Sequence, residues 1–306
     1  MRRLLVPALP AAALLLGLTA CSGSAGPAAP AASDAAGTVT VVASTNVYGD
    51  IVKTIGGDAV EVTSIIDDPS QDPHEYTANA RTQLALSKAQ LVVENGGGYD
   101  DFVATMLSAT TAKPRVLNVA DVSGYDQEPA EGEFNEHLWY DFPTMVKVTA
   151  QVEQDLSAIA PDRAETFKAN AAAFTTKLQG LEKSEETLAS EHRGVGVAIT
   201  EPVPLYLLDA SGMVNRTPEE FSEAIEEGSD VPPAVLQETV ALFSDKKVGL
   251  LAYNEQTTGP QTEAVLAAAK SAGVPVVGMT ETLPAGLDYV GWMQRNLDAV
   301  GGALQG

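Results

Sequence analysis

The stretch Thr38–Ile66, TVTVVASTNVYGDIVKTIGGDAVEVTSII, decides how the rest of the chain is read. Thr38 to Ala43 is rich in β-branched residues and predicts a strand. Asn46 to Ile55 suits a helix, and Gly56-Gly57-Asp58 ends it. Ala59 to Ile66 is a second strand. The same alternation continues outward, with a helix at Ala78–Ala89, a strand at Gln90–Glu94, a helix at Asp100–Ser108 and a strand at Arg115–Val119. Strands that alternate with helices imply a mostly parallel sheet covered on both faces. Beyond a break the rhythm returns. Strands are expected at Gly194–Thr200, Lys247–Tyr253 and Val274–Gly278. Helices are expected from Pro202 to Asp209, and at Pro232–Phe243, Pro260–Ala272 and Asp288–Leu304.

Between the two alternating regions the pattern differs. Asp121 to Glu136 carries several acids with Gly and Pro and reads as a mobile acidic loop. From Pro143 to Glu191 the chain is almost all helix-compatible, interrupted near Ala160-Pro161-Asp162. Proline is tolerated in a first helical turn. The run Pro161–Glu191 would span roughly 45 Å at 1.5 Å per residue, longer than a usual intradomain helix. The expected fold is therefore α/β, with two lobes of parallel-type sheet and flanking helices joined by a long rigid helix. The lobes are 38–142 and 193–306 and the connecting helices 143–192. No sequence repeat relates the two lobes.

The N-terminus reads as an address. Met1-Arg2-Arg3 is basic, Leu4 to Ala20 is apolar, and Leu18-Thr19-Ala20 precedes Cys21, the single cysteine of the 306 residues. This is a secretory signal over 1–20 with a lipidation site at Cys21. The apolar segment, about 17 residues, is shorter than the usual span of about 20. The tether 21–37 is mostly Ala, Gly, Pro and Ser and buries nothing. A single lipid-bearing terminus anchors a protein to a membrane without spanning it. The expected location is extracytoplasmic, at the outer face of the cell membrane. With 41 acidic residues against 18 basic and a charge of −23, the chain lacks the clustered Lys and Arg that phosphate contacts need, so nucleic acid is excluded as a partner. One cysteine excludes an intramolecular disulfide and a Cys-rich zinc cluster.

The three histidines can each be weighed. His74, in Asp72-Pro73-His74-Glu75-Tyr76, follows the second strand at its carboxyl end, where open α/β sheets bind ligands. It fits either a ligand or an exposed loop histidine. His137 precedes Leu138-Trp139-Tyr140-Asp141 and fits either a dry cleft or a core edge. Asp141 is placed to orient an imidazole, as ligating histidines require, or to cap the helix that follows. His192 ends the long helix, where a cation favours the helix dipole. Glu201 and Glu281 follow strands in the second lobe, and Glu255 is a competing strand-end acid. Two histidines from one lobe and two carboxylates from the other form a plausible divalent-metal set between the lobes.

At these residues the chain resembles the solute-binding lipoproteins of zinc and manganese ABC transporters, the cluster A-I metal-binding receptors. The likeness covers Thr38 to Gly306 together with the lipoprotein signal. It is carried by Asp72-Pro73-His74-Glu75-Tyr76, by His137-Leu138-Trp139-Tyr140-Asp141 and by the long helix between lobes. The resemblance implies His74 and His137 as metal ligands. It also implies Glu201, in Ile199-Thr200-Glu201, as the third. The fourth ligand in that family is usually an Asp in a Thr-Asp-Ser-like turn. Here the turn is Thr280-Glu281-Thr282, which implies Glu281 and keeps Glu255 open as the alternative. Asp141-Phe142-Pro143 also departs from the common Asp-Pro. The implied solute is one Zn²⁺ or Mn²⁺, with Fe²⁺ ranked after them. The implied role is capture and delivery, not catalysis, by a monomer that docks on an ABC permease with a cytoplasmic ATPase. Two other functions fit the residues less fully: a metal-dependent hydrolase, which lacks a His-Glu-x-x-His stretch here, and an adhesin on the same fold.

Overall fold

The computed structural model describes residues 37–68, 76–77, 79–130 and 132–305. The signal segment, Cys21, the tether up to residue 36 and His74 lie outside the described residues. The opening stretch folds as β1 (Val39–Thr45), α1 (Asn46–Gly56) and β2 (Val60–Ile66). Gly57 stops α1 with φ at 57°, a conformation that favours glycine. Then come α2 (Ala80–Leu86), β3 (Leu91–Glu94), α3 (Phe102–Ser108), β4 (Arg115–Asn118) and α4 (Val119–Ser123). The sheet runs β2-β1-β3-β4, all parallel, with Val41 beside Leu91 and Val93 beside Leu117. As expected of inner strands of a parallel sheet, β3 is buried throughout and β1 nearly so.

Two long helices follow, α5 (Phe142–Ile159) and α6 (Ala164–His192). The break between them falls where Pro161 predicts it, as the short 3₁₀ turn Pro161–Arg163. Phe167, Ala171, Phe174, Leu178, Leu181, Glu185 and Leu188 are the buried stripe of α6. Their spacing of three and four places them on one face of a helix that is otherwise polar. The second region adds β5 (Gly196–Ile199), α7 (Leu205–Ala210), β6 (Val214–Asn215), α8 (Glu219–Glu226) and α9 (Pro233–Ser244). It closes with β7 (Leu250–Asn254), α10 (Pro260–Ala272), β8 (Val276–Met279) and α11 (Tyr289–Leu304). Its sheet is also all parallel, in the order β6-β5-β7-β8.

Both sheets thus share one strand order, a likeness that the sequences of the two regions conceal. Between Asp209 and Pro232, where no element is expected from the sequence, the chain forms β6 and α8. The acidic loop also differs from expectation at both ends. Its start is the helix α4, capped by Asn118 and stopped by Gly124. Its end is tied down: Tyr206 donates to the Asn135 carbonyl at 2.8 Å, and Asn95 donates to the Glu136 carbonyl at 3.0 Å.

One hydrophobic core runs through both sheets. It joins β1 and β3 to β5 and β7 by way of α1, α5, α6 and α11. Smaller cores cover the outer faces, α2 and α3 on the first sheet and α8, α9 and α10 on the second.

Candidate metal centre

His137 sits at the end of the acidic loop, where a 3₁₀ turn over Leu138–Tyr140 begins. It is fully buried. Its ring lies edge-on to Trp139 and Tyr99, with centroids 5.1 and 6.0 Å away. Asn135 Oδ1 is 2.8 Å from Nδ1 and also accepts the His137 backbone N–H at 3.1 Å. An amide oxygen can only accept, so Nδ1 is the donor. Nε2 is thereby left facing the cleft, the nitrogen a metal would use once its proton is lost. There Nε2 lies 3.2 Å from Glu226 Oε1.

Burial by itself would lower the His137 pKa. The Glu226 carboxylate overcomes this, with Glu136 and Glu281 adding to it, and the pKa rises to about 10. His137 is therefore an imidazolium when no metal is present.

Glu201 follows β5 and is buried. Its Oε2 accepts from the Asn254 side-chain amide at the end of β7. The same amide donates to Glu281 Oε1 at 2.8 Å. Asn254 therefore links the two carboxylates that follow β5 and β8. Burial raises the Glu201 pKa most, Glu226 and Glu281 raise it further, and the bonds from Asn254 and Thr257 oppose them. The result is about 8. Glu281 is buried as well, and its Oε2 accepts from Tyr99 at 3.2 Å. Gln256 fixes the turn around it, its Oε1 accepting the N–H groups of Glu281 at 2.6 Å and Thr282 at 3.1 Å.

Two of the expected alternatives separate. Glu255 is exposed, and its carboxylate lies over Gly278 on the side of β8 that faces a cavity of about 750 Å³ lined by Val276, Trp292 and Asn296. It is Glu281 that shares the Asn254 amide with Glu201. Of the two roles the sequence leaves open for Asp141, its contacts here are those of a helix cap. Its carboxylate accepts the Thr144 N–H at 3.1 Å as the cap of α5 and a bond from the Tyr125 hydroxyl at 3.2 Å. Orphan N–H groups at a helix start are a strong local demand for such an acceptor, and Asn135 fills the orienting role instead.

Sequence reasoning also missed Glu226, at the end of α8. Its side chain is 13% exposed and both its oxygens are buried. Potential donor atoms of Glu136, His137 and Glu226 all lie within 4.8 Å of one another. Outside them opens a cavity of about 760 Å³ lined by Glu133, Glu136, Pro202, Glu219, Glu223 and Glu226, among others. Its acidic wall draws cations inward. With carboxylates and one imidazole converging from both sheets, the chemistry favoured here is divalent-cation binding.

Known proteins resemble this chain in sequence and in fold. The chain is 26% identical to the manganese-binding lipoprotein MntA of Halalkalibacterium halodurans, over 84% of this chain and 86% of that protein. It is 24% identical to the zinc-binding lipoprotein AdcA of Streptococcus pneumoniae, over 92% of this chain but 58% of that longer protein. Among solved structures, the periplasmic zinc-binding protein TroA of Treponema pallidum superposes with a TM-score of 0.72 at 23% identity, covering 88% of this chain and 99% of that one. The model of the family described as zinc-uptake complex component A, periplasmic, matches residues 41–303, and the chain belongs to that family.

Proposed function

We propose that this protein is the extracytoplasmic receptor of a metal ABC transporter. It captures one Zn²⁺ or Mn²⁺ ion and hands it to a membrane permease driven by a cytoplasmic ATPase. What supports this reading is a set of buried donors in a chain of this family: His137 beside Glu226, and Glu201 linked to Glu281 through Asn254. His74, which the sequence resemblance implies, is the fourth donor. Relatives named as manganese-binding and zinc-binding lipoproteins support the solute class.

In this reading 38–142 and 193–306 are the two lobes and 143–192 the strut between them. Cys21 carries the lipid that keeps the receptor at the outer face of the membrane. The protein binds and releases its solute without chemical change, and acts as a monomer. Asn135 presents the His137 ring, and Asn254 and Gln256 hold the carboxylates, so the donors are arranged before the ion arrives. Loading requires two proton losses, from the His137 imidazolium and from Glu201.

The test is uptake. Cells that lack their own receptor are supplied with this chain and its permease, and ⁵⁴Mn or ⁶⁵Zn accumulation is followed. Accumulation that disappears with His137→Ala is expected. Accumulation that persists in that variant contradicts the assignment.

A further inference from the structure

We infer that Glu226 is an additional metal donor, and that it shifts the preference of the site toward the harder Mn²⁺. The inference deepens the proposed function and rests on it. Glu226 is not among the ligands the sequence pattern implies. It comes from α8, an element the sequence pattern did not reveal.

Three observations support it. First, its Oε1 lies 3.2 Å from Nε2 of His137, the nitrogen left to face the cleft when Asn135 takes Nδ1. Two donors that share one ion, each about 2.1 Å from it, sit about 3 to 3.5 Å apart. The two atoms are therefore already spaced as neighbours on one coordination polyhedron. Second, potential donor atoms of Glu136, His137 and Glu226 all lie within 4.8 Å of one another, so the Glu226 carboxylate faces the same space as the His137 ring. Third, both Glu226 oxygens are buried although the residue lines the acidic cavity leading in from solvent. A cation entering by that route meets Glu226 before Glu201.

The chemical consequence is an added carboxylate, Glu226, beside the His137 imidazole. Zinc is satisfied by four donors and takes nitrogen readily. Manganese favours oxygen ligands and six-fold geometry. An extra carboxylate is thus worth more to Mn²⁺ than to Zn²⁺, and partly offsets the intrinsic advantage of zinc.

The test uses the full chain, purified in detergent and stripped of metal, with Mn²⁺ and Zn²⁺ titrated separately against a chelator of known affinity. Glu226→Gln keeps the shape and removes the charge, and Glu226→Ala removes the donor. Glu220→Gln, exposed on the same helix, is the charge control. Mn²⁺ affinity is expected to fall at least about tenfold in both Glu226 variants, zinc affinity to fall less, and both to be unchanged in the control. X-ray absorption of the Mn²⁺-loaded chain is expected to lose one oxygen from its inner shell in Glu226→Ala.

Unchanged affinities, equal losses for the two ions, or an unaltered inner shell overturn the inference. Tighter binding of both ions also overturns it, since Glu226 would then be competing with the metal for His137. If the unaltered chain binds neither ion, the proposed function itself fails, a result distinct from any of these. Metal-free melting curves for each variant separate lost ligation from lost folding.

Discussion

Asn135 and Glu226 grip the two nitrogens of His137 from opposite sides, and this sets how the site responds to protons. His137 is held near 10 against an ordinary 6.5, and Glu201 near 8 against 4.5. In both cases the folded, metal-free chain binds more protons than the unfolded chain. Stability must then fall as pH rises, from about 4.5 to 8 through Glu201 and from about 6.5 to 10 through His137. A metal-free melting temperature that drops between pH 6 and pH 9 is expected, and a flat profile contradicts the assignment. Metal binding runs the other way, because ligation needs both groups deprotonated. Calorimetric titration at pH 7 in buffers of different ionisation enthalpy is expected to show up to about two protons released per ion. Heats that do not depend on the buffer would count against the His137 and Glu201 assignments. The strand-end placement of Glu201 and Glu281 was legible in the sequence, because each lies just beyond an apolar strand. Asn135, Asn254 and Gln256 were not, since an amide that bridges two carboxylates has no signature until the topology brings its neighbours together. Asp141 stayed open between two roles for a physical reason: a carboxylate beside a histidine and before a helix suits both, and here it caps the helix start.

Among the elements, α6 shows most clearly how sequence spacing becomes packing. Its buried stripe was readable, but one member is an acid. Glu185 is 4% exposed, and burial raises its pKa to about 9, with Asp141 and Glu182 adding to the effect. It is therefore kept protonated at neutral pH, at a cost that grows from pH 4.5 toward 9. Glu185→Gln is expected to stabilise the protein by about 1 to 3 kcal/mol at pH 8 and by little at pH 5. Chemical denaturation at the two pH values checks this, and an equal gain at both contradicts it. Phe174, one face along the same stripe, packs 6.0 Å from the ring of Tyr289 on α11. Phe174→Ala is expected to cost about 3 to 5 kcal/mol in the same assay. The helix α8 went unread although its signals were present. Pro218 precedes it, Glu219 and Glu220 fill its first turn, Phe221, Ala224 and Ile225 share a face, and Gly228 follows it with φ at 64°. At eight residues, and rich in glutamate, it looks like loop to any reading that weighs long apolar periodicity.

Over the molecule as a whole, two sheets share the same strand order and one core runs through both. The alternation of β-branched runs with helices made that architecture readable. The common order of the two sheets was hidden, because parallel order depends on crossovers that no local pattern records. A core continuous through α5 and α6 favours small rearrangement on loading. The radius of gyration from solution scattering is expected to change little between metal-free and metal-loaded protein; a change like that of a wide hinge closure contradicts this. The acidic mouth adds a kinetic expectation. Replacing Glu133, Glu219 and Glu223 together with Gln is expected to slow Mn²⁺ association several-fold at low salt while leaving dissociation nearly unchanged. Stopped-flow competition with a fluorescent chelator measures both rates.

In the proposed receptor the cleft holds one divalent transition metal ion. The most direct measurement is elemental analysis of the chain Ser22–Gly306, stripped with chelator, offered equal Mn²⁺, Zn²⁺ and Fe²⁺, and freed of excess metal. About one equivalent of bound metal, lost in the His74→Ala, His137→Ala double variant, is the predicted result. No retained metal, or retention that the double variant leaves untouched, would contradict it.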